Sequence, residues 1–276
     1  MKLSLSVRVA EPPKQKDVTA LPFDVLAAKA KAAGFAGLSM RASIVSVDSP
    51  PERVRAVRKT LDETRLAVSM VCGDIPLAAN NAAATQALRN IGPYLDLTQA
   101  LGATLIRVMM HGEDDVPYAQ RAADAAAERG LTLVHINHWG TTFETVEESL
   151  ATLAAVGRAN FRVCFEPGNL LACGAAHGPA DLARLVPYLA NVYFQNIRLD
   201  PHSPIVFPSR RRGPAHVRYV PIDDPSGIDI RPLIETLHRE GYEGWFTVHQ
   251  PLFDGQDVDA AMRLAADFLL PRMAAR

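Results

Sequence analysis

Two side chains carry the chemistry this sequence could perform most directly. Glu166 stands between the apolar run FRVCF and Pro167-Gly168, and His249 closes the run GWFTVH shortly before Pro251. A carboxylate and an imidazole in one pocket can supply an acid and a base whose pKa values are set apart, which proton transfer near neutral pH requires. Both are therefore the catalytic candidates. Further polar residues recur where apolar runs end: His111 after ATLIRVMM, Asn137 and His138 after LTLVHI, and Gln195, Asn196 and Arg198 within VYFQNIR. Of these, His111, Asn137, His138, Gln195 and Arg198 read as substrate contacts, because a pocket for a hydrated small molecule needs a few convergent polar groups on apolar walls. The earlier runs offer less, with Arg8, Ser39, Arg41 and Cys72. His135 has the opposite strand parity to Ile136, so it faces the helix layer if Ile136 faces inward. Cys164 shares the parity of Glu166, but nothing in the sequence sets a base beside it. GxSxG, HExxH and P-loop motifs are absent from the sequence.

These residues need elements that bring them to one place. Eight short apolar runs, at 3–7, 37–40, 66–71, 103–110, 131–137, 161–166, 191–199 and 244–249, alternate with Ala/Leu/Arg-rich stretches apolar at i, i+3 and i+4. Gly34, Gly102, Gly130, Gly157 and Gly241 close several of those stretches, as helix C-termini require. Eight strand–helix units in one chain predict an α/β fold, a (β/α)8 TIM barrel in a single domain over residues 1–276. A doubly wound sheet is disfavoured, since no GxGxxG follows the first strand. In such a barrel the strand ends line one mouth, which is where the candidates above fall. The segment 200–228, rich in Pro and Arg, reads as a long loop after the seventh strand. Its Arg210, Arg211, Arg212 and Arg218 suit an anion site; a subunit contact or mobile loop is the slightly favoured reading.

Composition excludes whole classes. Across 276 residues, 29 basic side chains face 30 acidic ones, for a net charge of −1, which does not suit a nucleic-acid partner. No run approaches the roughly 20 apolar residues of a membrane span. The opening MKLSLSVRVAEPPKQ makes a poor secretory leader, its apolar run being broken by Arg8. Three cysteines outside any CxxC spacing read as reduced thiols, and so as a cytoplasmic protein.

At its strand ends the sequence resembles the sugar phosphate isomerase/epimerase family of xylose-isomerase-like TIM barrels. The resemblance covers almost the whole chain through AGFAGLSMR (33–41), LGATLIRVMMHG (101–112), ERGLTLVHINHWG (128–140), FRVCFEPGN (161–169), VYFQNIR (192–198) and GYEGWFTVHQP (241–251). Members typically read ENH after strand five, DPGN or DPGH after strand six, HxKD on strand seven and a Glu after GYDGW on strand eight. The resemblance implies a divalent metal (Mn, Mg or Zn) in the mouth, polarising a carbonyl and its neighbouring hydroxyl. Here the ligand positions hold Ile136, Glu166, Gln195 and His249, with Asn196 the alternative to Gln195 on a one-residue shift. Glu166, Gln195 and His249 are thus the implied metal ligands, and Ile136 cannot ligate.

Two functions follow. One is an isomerase or epimerase, less readily a dehydratase or lyase, acting on a sugar, sugar phosphate or sugar acid by proton transfer next to a carbonyl. The other is a sugar-binding barrel, or non-catalytic subunit, that has lost the metal chemistry. The enzyme is favoured, with a small carbohydrate-like substrate as partner; self-association stays open. An apurinic endonuclease shares the fold but needs a three-metal cluster that this mouth lacks.

Overall fold

Eight of the apolar runs lie side by side as parallel strands and close on themselves. The computed structural model describes residues 1–12, 15–252 and 256–274. Strands β1 (Lys2–Ser6), β2 (Gly37–Met40), β3 (Ala67–Val71), β4 (Leu105–Val108), β5 (Thr132–Ile136), β6 (Phe161–Phe165) and β7 (Leu189–Phe194) follow one another around the barrel. Three more, β8 (Ile197–Leu199), β9 (Val206–Ser209) and β10 (Gly213–Tyr219), form a separate sheet. The last, β11 (Trp245–Val248), pairs with β7 on one side and with β1 on the other, Lys2 opposite Trp245 through Leu5 opposite Val248. The predicted (β/α)8 barrel is the observed fold.

Helices coat the outside, and the one at Val146–Val156 shows how the sequence sets its limits. Thr145 caps it, its hydroxyl accepting from the Glu148 amide, and Gly157 ends it at φ 59°, where a Cβ would be strained. Ser149, Leu153 and Val156 are buried beneath it. The main core fills the layer between barrel and helices. A second, smaller cluster, Met70, Val134, Ile136, Cys164 and Tyr193, fills the barrel itself. Polar pairs complete that interior: Ser4 with Ser69 at 2.6 Å, Thr247 donating to Asn191 at 3.0 Å, and Ser39 with the Tyr193 hydroxyl. Each pair gives a buried oxygen a partner away from water, although Asn191 Nδ2 has none among the described residues.

His135 lies on the helix side, as its parity predicts. Its Nε2 accepts from the Met110 amide at 2.9 Å, so Nδ1 carries the proton and donates to the Ile136 carbonyl at 2.8 Å. Burial pushes its pKa down to about 3, and the ring stacks on Phe143 at 3.9 Å. It is a structural group.

Two readings change. The run 191–199 is not one strand: it breaks at Gln195-Asn196 into β7 and β8. The Asn196 amide group donates to the carbonyls of Pro221 and Asp224 and accepts from the Ile228 amide, turning the chain out of the barrel. The segment 200–228 is likewise not irregular, because β10 pairs antiparallel with both β8 and β9. Among the described residues, no helix is long and apolar enough to cross a membrane.

Candidate active site

At the C-terminal ends of the barrel strands lies a narrow cavity of about 70 Å³, with Arg8, Arg107, Ile136, Glu166, Gln195 and His249 among its walls. A wider groove of about 460 Å³ adjoins it and shares Arg8, Lys16 and Phe207. Phe207 comes from β9, so the sheet outside the barrel helps to wall the mouth.

Glu166 ends β6 and caps the short helix Pro167–Ala172. The Pro167 that follows holds its chain extended, and the carboxylate turns back to accept from the Gly168 amide at 3.3 Å and the Asn169 amide at 2.5 Å. Gln195 donates to it at 3.2 Å. Glu166 has no exposed surface, and this burial raises its pKa to about 7 despite those bonds and the nearby Arg8 charge. A carboxylate poised there exchanges protons readily at neutral pH.

His249 lines the same cavity, with its ring stacked on Tyr193 at 4.4 Å. Burial pushes its pKa well below the usual imidazole range, and the charges of Arg8, Arg41, Arg107 and Lys16 push it further. Its Nδ1 is buried and has no partner among the described residues. The order expected of a Glu–His pair is thereby reversed: the carboxyl keeps its proton to near neutrality while the imidazole is uncharged. His138 also lines the cavity, neutral for the same cause, and contacts Asn80 at 3.0 Å.

Cations dominate the walls. Arg8 leaves the end of β1 and reaches across to Gln195 Oε1 at 3.2 Å, the His249 carbonyl at 3.3 Å and the Tyr219 hydroxyl at 2.9 Å. Lys16 donates to the Ala78 carbonyl, and Arg107 points in from β4. Arg41 is matched by Glu11, which takes two of its N–H groups at 2.7 and 3.1 Å. Burial, then repulsion from Arg8, Arg41 and Arg107, lowers the Lys16 pKa to about 7.

Of the candidates, Glu166, His249, His138 and Gln195 converge on the cavity. Three assigned as substrate contacts do not. Asn137 follows Ile136 with opposite parity, so its side chain enters the helix layer and donates to Ser149 at 2.9 Å. His111 is held outside the cavity walls by Asn80 Oδ1 at 3.0 Å. Arg198 rides out on β8, 44% exposed at its side chain and 3.9 Å from Asp200. The Arg210–Arg212 turn is also spoken for. The fully buried Glu144 accepts from the backbone amides of Gly140, Arg210 and Arg211 and from Ser209 Oγ, pinning the β9–β10 turn to the loop after β5. Sequence reading missed Lys16, Arg107, Asn169 and Phe207 as wall residues. Only Arg107 left a signal: an arginine inside the apolar run ATLIRVMM, on the parity of an inward residue.

The implied divalent metal does not fit these residues. Among the described residues, no three His, Cys, Asp or Glu side chains are grouped to hold one. Ile136 offers hydrocarbon, Gln195 Oε1 is taken by Arg8, and Glu166 is the sole carboxylate among the described wall residues. The guanidiniums of Arg8 and Arg107 in the same chamber oppose a further positive charge. Dialysis against EDTA should leave the melting temperature in place, and millimolar Mn²⁺ should not raise it, since a ligand of the native state stabilises it. A rise of several degrees with Mn²⁺, lost in Glu166→Gln, would restore the metal site.

The profile of the family described as xylose isomerase-like TIM barrel matches residues 27–271. An inosose dehydratase of Geobacillus thermodenitrificans is 28% identical over 131 residues, a stretch that spans 46% of this chain and 43% of that relative. Less than half of that relative's length is therefore matched. Among solved structures, the probable 3-DHS dehydratase AsbF of Bacillus anthracis, involved in petrobactin synthesis, superposes with a TM-score of 0.72 at 16% identity, over 98% of this chain and 99% of that one. A D-allulose 3-epimerase from Methylomonas sp. gives 0.70 at 16% identity, over 99% and 98%. At such identities the likeness is one of fold.

Proposed function

Since the chain belongs to the xylose isomerase-like TIM barrel family, we propose that it works as an isomerase or epimerase on a small sugar-like substrate, moving a proton next to a carbonyl through Glu166. Fold alone does not select a reaction. The observation that carries this reading is a single buried carboxylate, with a pKa near 7, among the described walls of a chamber at the strand ends.

Glu166 takes the proton from the carbon that lies between carbonyl and hydroxyl. The C–H electron pair moves toward the carbonyl oxygen and leaves an enediolate. Return of the proton to the neighbouring carbon gives the isomer; return to the other face of the same carbon gives the epimer. The charge growing on oxygen meets the fixed guanidinium groups of Arg8 and Arg107, and Lys16 in its protonated form, which need no rearrangement to stabilise it. His249, neutral and with a free Nδ1 among the described residues, suits proton exchange between substrate oxygens.

The test is solvent exchange. In D2O, a panel of aldoses, ketoses and sugar acids is followed by proton NMR for loss of the signal next to the carbonyl. Deuterium entering one or a few members, at a rate that depends on Glu166, supports the proposal. Tight binding with no exchange in any member points instead to a sugar-binding barrel without turnover, a reading consistent with Ile136 at the strand-five position.

A further inference from the structure

The charges around the cavity do not balance. Arg107 sits on β4 two residues from Leu105, which packs on the barrel's inner cluster, so strand alternation aims it inward too. It is only 2% exposed, yet the partners of its guanidinium are sulfur atoms, Cys72 Sγ at 3.9 Å and Met109 Sδ at 3.8 Å. Its Nε has no partner at all among the described residues. A guanidinium has five N–H donors, and a buried one is ordinarily met by carboxylate or phosphate oxygens. Arg8 touches only an amide oxygen, a carbonyl and a hydroxyl; Lys16 touches one carbonyl. With Arg41 neutralised by Glu11, the guanidiniums of Arg8 and Arg107, joined by Lys16 while it is protonated, face the lone Glu166.

We propose that the ligand of this cavity carries an oxyanion, a carboxylate or a phosphate ester, and that Arg107, Arg8 and Lys16 hold it. Its arrival supplies the missing negative charge and gives Arg107 the oxygen acceptors that its protein neighbours do not. Only the description of this ligand as a substrate rests on the proton-transfer reading; the anion site stands on the charges themselves. Arg8 and Lys16 line both the inner chamber and the adjoining groove, so an anion held by them sits where the two join.

Isothermal titration calorimetry of the full chain with glycerol, D-glycerate and glycerol 3-phosphate separates charge from shape, because the three share one hydroxylated skeleton. One or both anions should bind at least about 100-fold more tightly than glycerol, and the better of the two identifies carboxylate or phosphate as the source. Arg107→Met, which keeps length among sulfur neighbours, should weaken that anion roughly 30-fold or more. Lys16→Met, on a half-buried loop residue, should weaken it in the same direction and serves if the first variant does not fold. Equal binding of all three probes overturns the proposal, as does anion affinity unchanged in the variants that fold. Anion binding without deuterium exchange in any sugar or acid would remove the proton-transfer reading and leave this one; exchange on neutral sugars without anion binding would do the reverse.

Discussion

Glu166→Gln should lower turnover by about 10²–10⁴-fold, the usual contribution of a positioned proton-transfer group, while circular dichroism stays native. The change removes the only carboxylate among the described walls and almost no volume. The wild-type kcat/KM should rise with pH through about 7, where Glu166 loses its proton, and the variant's residual rate should lack that limb. Stability runs the other way. The carboxyl's pKa is raised from 4.5 to about 7 by burial, so the stability tied to its neutral form is complete below pH 4.5 and is lost as pH rises through 7. That loss is on the order of 3 kcal/mol. Gln never ionises, so the variant is spared that loss at pH 8. A variant with wild-type turnover, or a profile without the limb near 7 in the wild type, would remove Glu166 from the chemistry.

Glu144→Ala should destabilise the protein by about 3 kcal/mol, because it strands several buried donors at once and leaves the turn they came from unanchored. Three backbone amides and one hydroxyl converge on that carboxylate, from the loop after β5 and from the β9–β10 turn. Its removal frees the turn holding Arg210, Arg211 and Arg212, so trypsin should cut there faster than anywhere in the wild type. A fall in the urea midpoint with an unchanged slope checks the first effect, and mapping of the early fragments checks the second. An unchanged midpoint together with unchanged cleavage would show that the carboxylate does not hold the turn. Because Phe207 on β9 walls the cavity, ligand affinity should fall alongside.

What the sequence made legible follows from how local each signal is. Strand and helix periods are set by neighbours two residues apart in strands and three or four apart in helices, so the eight units and the barrel could be read directly. So could the inward position of Glu166 and His249, because a strand end and the residue preceding a Pro are local facts. Parity would also have sent Asn137 outward, had the alternation that excluded His135 been carried one residue further. Arg198 was misplaced for a different reason: the exit of the chain at Asn196 depends on carbonyls at 221 and 224, contacts that no window of sequence contains. Lys16 lies in a short Pro- and Lys-containing stretch with no period, and its place at the mouth is decided by a bond to Ala78 far along the chain.

The cavity's residues also sort by their order in the chain. Arg8, Lys16, Arg41 and Arg107 all precede β5, whereas His138, Glu166, Asn169, Gln195 and His249 all follow it. On the readings proposed above, the first half-barrel would supply the cations that hold an anion, and the second the groups that move protons. The two sets of residues meet at the seams where β1 pairs with β11 and β4 with β5.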